Sequence, residues 1–245
     1  MKTIDALNIY YRELNNLIDN TIETEKTISL KNVFGQRYIG RGLPEKVKLK
    51  IYGVPGNDMA AYMDGAELEI FGNAQDAVGN TMNNGRIIVH GNCGDTLGYA
   101  MRGGEIYVEG NVGYRVGIHM KEYKEMKPVI VAGGKAGEFL GEYMAGGAII
   151  LLGLNFSKNG SIVGRFCGTG MHGGAIYLND NANECMFGKE AVKVAITDTD
   201  IAFLKKHIDF YSETFKKDLK HLKIESFSKY AAVNKNPYSN MYCVY

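Results

Sequence analysis

The chain has 245 residues, of which 45% are hydrophobic and 22% charged, with a formal net charge of +1. This is a globular composition, long enough for one large domain or two small ones. The near-zero net charge gives no bulk drive toward nucleic acid or a membrane surface. The longest apolar run, Ala145 to Leu154, is too short and too rich in glycine to span a bilayer.

The opening Met1-Lys2-Thr3-Ile4-Asp5 lacks the apolar core of a signal peptide. Residues 3 to about 19 read as a helix, because Ile4, Leu7, Tyr11, Leu14 and Ile18 recur at steps of three and four. Thr3 or Asp5 is placed to cap it. Residues 1–27 are assigned to this helix and its linker. Val33 to Gly40 then leads into the main body, assigned to residues 28–197.

A period of 19 residues governs that body. Gly53, Gly72, Gly91 and Gly110 keep it, as do Met63, Met82, Met101 and Met120, and Gly79, Gly98 and Gly117. Asn73, Asn92 and Asn111 each follow one of these glycines. With each methionine as origin, Leu68, Ile87 and Ile106 lie five residues on, and Ile70, Val89 and Val108 seven on. Apolar residues two apart signal a strand. Nineteen residues cannot hold two helices with their turns, but they suit one coil of a parallel β-helix, which buries a core only when stacked. The glycines read as turns or close backbone approaches.

Leu49 and Ile51 begin the stack. After Met120 the register slips, by four residues on this reading, through Lys121-Glu122-Tyr123-Lys124-Glu125, so that Val129 and Val131 resume the inward positions. Ile149 with Leu151, and Ile176 with Leu178, continue them, and Phe156 to Gly160 reads as a loop insertion. The expected fold is all-β dominated: a single-stranded, right-handed parallel β-helix of about seven coils with flanking N- and C-terminal helices. Residues 198–225 form the second helix, with Ile201, Leu204, Ile208, Tyr211, Phe215, Leu219 and Leu222 as its apolar stripe. Residues 226–245 are expected to be extended.

The position between the two inward ones should face outward. It is Lys50 and Glu69 in the first coils, then Ile88, Tyr107, Ile130, Ile150 and Tyr177. Such an apolar stripe needs a cover, and the C-terminal helix, through Ile201 to Phe215, has a matching length and face.

No catalytic, cofactor-binding or metal-ligating residue is assigned. Gly168 to Gly173 spells G-x-G-x-x-G, but Gly174-Ala175-Ile176-Tyr177-Leu178 follows as a strand, where a dinucleotide site requires a helix. Gly133-Gly134-Lys135 lacks the phosphate-loop spacing. His90, His119, His172, His207 and His221 form no metal motif, and Glu67, Glu105 and Glu109 lie dispersed on strands. Cys93, Cys167, Cys185 and Cys243 form no C-x-x-C pair, which argues against structural zinc and iron–sulfur ligation and fits reduced thiols in a cytoplasmic protein.

The segments Gly133 to Gly147, Ile149 to Gly153 and Gly170 to Tyr177, with Gly72-Asn73-Ala74-Gln75-Asp76, Gly110 to Gly117 and the tail Asn236-Pro237-Tyr238, resemble the C-terminal GXGXG domain of the glutamate synthase large (alpha) subunit, in a stand-alone form. The resemblance covers the chain from about Lys31 onward. It implies a structural β-helix supporting a glutamine amidotransferase and a flavin-dependent synthase, which together make glutamate from glutamine and 2-oxoglutarate. The amidotransferase's N-terminal cysteine is not matched by Met1-Lys2, and no cysteine cluster matches that of the synthase. FMN and an iron–sulfur cluster are therefore expected on partner subunits. No partnership with nucleic acid or membrane is expected, while a homo-oligomer is allowed. Gly94 to Gly104 is also similar to the subunit of formylmethanofuran dehydrogenase that is built on the same repeat, and a scaffold role of that kind is the alternative. A β-helical acyltransferase fits less well, because its coils are built from six-residue units.

Overall fold

A computed structural model describes residues 1–154, 161–179 and 186–233. Its strands are β1 (Lys2–Asp5), β2 (Thr27–Phe34), β3 (Lys48–Val54), β4 (Asp64–Phe71), β5 (Asn84–Val89), β6 (Glu105–Val108), β7 (Val129–Ala132), β8 (Ala145–Leu151), β9 (Gly173–Leu178), β10 (Ala191–Val194) and β11 (Ser228–Ala232). Two α-helices accompany them, α1 (Tyr11–Ile22) and α2 (Asp198–Phe215). All the strands belong to one sheet, in which β1 to β9 follow sequence order and pair in parallel. The chain is thus the expected parallel β-solenoid with one main strand per coil. Among the described residues no helix is long and apolar enough to cross a membrane.

The repeat positions stack as the period requires. Leu49, Leu68, Ile87 and Ile106 pair in one column, and Ile51, Ile70, Val89 and Val108 lie two residues further along their strands. All eight are buried, as are Met63, Met82, Met101 and Met120 and the turn residues Val78, Leu97 and Val116. One coil alone leaves these side chains wet; stacking encloses them in one continuous core.

The asparagine after each glycine also has a specific task. Asn73 Oδ1 accepts from the Asn92 N–H at 2.8 Å, Asn92 Oδ1 from Asn111 at 2.7 Å, and Asn111 Oδ1 from Lys135 at 3.0 Å. Asp76 and Asp95 repeat the device on the N–H groups of Asp95 and Tyr114. These bonds run from coil to coil and pair backbone donors in the turns.

Three expectations are corrected. First, the slip after Met120 is five residues, since Ile106 pairs with Ile130. Ile130 therefore points into the core and Val131 points outward, because a one-residue shift in a strand exchanges its faces. Second, the N-terminal helix does not begin at residue 3. Lys2 to Asp5 pair in parallel with Ile28 to Lys31, and α1 starts only at Tyr11, after an N-cap residue, Tyr10, that makes no side-chain cap bond. Ile4 therefore meets the core as a strand residue and Leu7 is exposed, while Leu14 and Ile18 do seal the interior. Third, α2 stops at Phe215, where Lys216 takes a left-handed conformation. Leu219 and Leu222 follow outside the helix but join the same apolar cluster.

The extended reading of residues 226–245 holds for β11, which lies between β9 and β10, antiparallel to both. Its remainder from 234 on, the loop at Phe156 to Gly160, and Cys185 and Cys243 lie outside the described residues.

Candidate functional site

The outward face of the sheet carries rows of side chains running from coil to coil. One row alternates in charge, Lys48, Glu67, Arg86, Glu105, with Lys48–Glu67 and Arg86–Glu105 contacts of 2.8 Å. The next row changes character along the stack, from Lys50 and Glu69 to Ile88, Tyr107, Val131, Ile150 and Tyr177. Helix α2 begins over β9 and ends over β5, with Leu204, Ile208, Tyr211 and Phe215 packed on this apolar half. Ile201, expected in that contact, is only partly buried and lies outside the cluster; the chain's own helix nevertheless covers the stripe.

Polar bonds lock the helix in register. The capping box of Thr197 and Asp200 starts it. Tyr177 Oη donates to Asp200 Oδ1 at 2.6 Å, and Lys229 Nζ lies 2.8 Å from the same oxygen. Burial opposes the charge on Asp200, but Lys229, Tyr177 and Thr197 outweigh it and hold the carboxyl below its usual range. Midway, Tyr107 Oη lies 2.7 Å from His207 Nδ1, and burial holds His207 down to about 4 against the raising effect of Glu105. Neutral His207 is thus a suitable acceptor for the Tyr107 hydroxyl. Tyr211 Oη donates to the Glu109 carbonyl at 2.7 Å, and Lys217 pairs with the Glu109 carboxylate at the same distance. All of these groups are engaged in holding the helix.

A different edge of the solenoid is both exposed and chemically distinctive. The eight-residue turns Gly113–Met120, Gly137–Met144 and Gly164–Met171 stack through Arg115 N–H to Glu138 O, Phe139 N–H to Arg165 O, His119 N–H to Glu142 O and Tyr143 N–H to Thr169 O, all 2.9 to 3.0 Å. To aim these N–H groups at the next coil, Arg115, His119, Phe139 and Tyr143 adopt φ of +52° to +63°, and Phe166 in the next turn has φ of +61°. Glycine would take that conformation freely, whereas an L side chain costs roughly 1–2 kcal/mol. The same conformation recurs at Ala77, Thr81, Thr96 and Ala100 in the earlier coils, so it belongs to the turn itself; what changes in the later coils is that aromatic and arginine side chains occupy it.

The side chains form a band. Phe139 and Phe166 stack with centroids 4.9 Å apart, and the Arg115 guanidinium lies 4.5 Å from the Phe139 centroid. His119 stacks on Tyr143 at 5.3 Å and meets the edge of Tyr99 at 6.0 Å. Arg115 Nε also donates to Glu142 at 3.1 Å. Tyr99, Tyr114, Tyr143 and Phe166 are between 39% and 50% exposed, which leaves aromatic surface available to a partner. Tyrosine, phenylalanine and arginine are residue types that the cores of protein interfaces favour. The sequence reading missed this band because it followed the strands; its signal was the change from Thr81 and Ala100, just before Met82 and Met101, to His119 and Tyr143, just before Met120 and Met144.

The five histidines do not converge. His90 contacts Glu69 at 3.0 Å and stacks on Phe71, and His172 Nδ1 lies 3.2 Å from the Gly170 carbonyl. His119 belongs to the aromatic band, His207 to the helix contact, and His221 is exposed. Among the described residues no group of three or more His, Cys, Asp or Glu comes together. Cys93 and Cys167 are buried, and burial pushes their thiols up. The G-x-G-x-x-G segment runs directly into β9, so the residues after it build a strand.

Comparison with known proteins adds two findings. The model of the GXGXG motif family matches residues 10–235. The chain is also 44% identical, over 248 aligned residues, to an uncharacterized protein of Methanocaldococcus jannaschii (strain DSM 2661), with 98% of this chain and 95% of that protein covered.

Proposed function

We infer the function of this chain from the GXGXG motif family, to which it belongs, the family domain found in glutamate synthase-like proteins. The chain is a non-catalytic scaffold subunit of a glutamate synthase-like complex. A glutamine amidotransferase subunit releases and passes on the amide nitrogen, and a flavin-dependent synthase subunit, with FMN and an iron–sulfur cluster, performs the reduction that completes glutamate. This chain holds those subunits together in the cytoplasm, with the band from Tyr99 to Phe166 as a docking surface.

The observation that carries this reading is the family match across residues 10–235, which takes up nearly the whole chain.

The test is purification of the full chain from its own cells under native conditions. The associated polypeptides are identified, and glutamate formation from glutamine and 2-oxoglutarate is assayed. Recovery of both catalytic subunits with that activity is expected. Replacing Arg115 and Phe166 by serine together should release them while the chain keeps its fold. Recovery with molybdopterin-enzyme polypeptides would overturn the reading in favour of a formylmethanofuran dehydrogenase-type scaffold.

A further inference from the structure

The two ends of the solenoid are finished differently. At the C-terminal end β11 reverses direction, which stops the parallel stacking. At the N-terminal end α1 seals the interior with Leu14 and Ile18, but among the described residues no strand pairs with the outer side of β1, which is an open sheet edge. An open edge presents unpaired backbone donors and acceptors to another strand.

The orientation of the β1 backbone follows from one bond. Ala6 N–H donates to the Lys31 carbonyl on β2 at 2.8 Å. Backbone groups alternate sides along a strand, so those of Lys2 and Ile4 also face β2. Those of Thr3 and Asp5 face the open edge.

We propose that this edge pairs with β1 of a second copy of the chain, antiparallel, with Ile4 on the two-fold axis. A two-fold perpendicular to the sheet keeps the core face of both copies on the same side. Only registers that oppose residues of the same face are then allowed. The register centred on Ile4 sets Thr3 opposite Asp5 of the second copy, and Asp5 opposite its Thr3. Each of these pairs exchanges two backbone hydrogen bonds, which satisfies all four edge-facing residues.

The side chains agree with the register. Ile4 is partly buried against the core cluster, so Ile4 against Ile4 extends the apolar interior across the axis. The Thr3 hydroxyl meets the Asp5 carboxylate of the other copy, a donor facing an acceptor. Leu7, Tyr10 and Phe34 line one groove beside the edge, and Phe34 is 89% exposed, which supplies further apolar surface to cover. A net charge of +1 leaves little repulsion between copies.

The test is the mass of the full chain in solution, measured by sedimentation and light scattering across micromolar concentrations. A dimer is expected. Thr3→Pro removes an N–H that the monomer does not use internally, so it should keep the fold, checked by circular dichroism, and weaken the dimer by tenfold or more. Thr3→Asp sets two carboxylates opposite each other and should also dissociate it. Thr3→Lys sets an ammonium against Asp5 and should keep it. A wild-type monomer throughout this range overturns the proposal, as does a dimer that Thr3→Pro and Thr3→Asp leave unchanged. Neither result bears on the catalytic partners.

Discussion

The hydroxyl of Tyr107 lies 2.7 Å from Nδ1 of His207, a bond that joins strand β6 to helix α2 across 100 residues of sequence. Both side chains are buried, 1% exposed in each case. A buried bond of this kind matters less for its own net worth than for the penalty of leaving either partner unpaired.

Its first consequence is a pH dependence. His207 titrates at about 4 in the folded chain, against 6.5 for an unperturbed histidine. Between those values the unfolded state binds more protons than the folded one. Stability is therefore full above the unfolded value and falls as pH drops through this window, by on the order of 3 kcal/mol. Asp200, held below its usual range, adds a loss only below about pH 4. The midpoint of thermal unfolding should fall steadily between pH 6.5 and 4.5. His207→Gln keeps an acceptor for Tyr107 but cannot take up the proton, so its profile should be flatter. An equally steep profile in the variant would assign the dependence to other groups.

Covering the outward stripe is the second consequence. Leu204 is fully buried at the centre of the cluster beneath α2. Leu204→Ala should cost about 2–5 kcal/mol in urea unfolding. Lys205→Ala, on the exposed side, should stay within about 0.5 kcal/mol. Ending the chain after Thr197 uncovers Tyr107, Val131, Ile150 and Tyr177 together, also takes β11 from beside β9, and should cause aggregation. A soluble truncated chain of undiminished stability would mean that the helix contributes nothing.

The third concerns two glycines with similar backbone and different surroundings. Gly98 has φ of +68°, and a Cβ there would lie 2.5 Å from Cδ1 of Ile130. Gly42 has φ of +61° and open space around the same position. Alanine at Gly42 should lose about 1–2 kcal/mol, the cost of the left-handed backbone alone. Gly98→Ala should lose about 1–3 kcal/mol more, because the core must shift to admit the methyl group. Equal losses measured by denaturant unfolding would show that the core yields without cost.

The sequence by itself determined the coil. Its 19-residue period stacks Leu68 on Leu49 and Ile87 on Leu68, and a repeat that cannot bury its own apolar face has no other way to do so. It also carried the information for the helix cover, because the change from Lys50 and Glu69 to Ile88 and Tyr107 marks where water must be excluded. Tertiary structure decided whether Ile130 or Val131 enters the core. The insert after Met120 has no period to count, and a strand tolerates either parity until its neighbours are in place. It also decided that Lys2 to Asp5 form a strand. The spacing of Ile4 and Leu7 fits a helix equally well, and only the open edge of β2 resolves the ambiguity. The aromatic band likewise depends on stacking: Phe139 and Phe166 are 27 residues apart in sequence, and only successive coils bring their rings together.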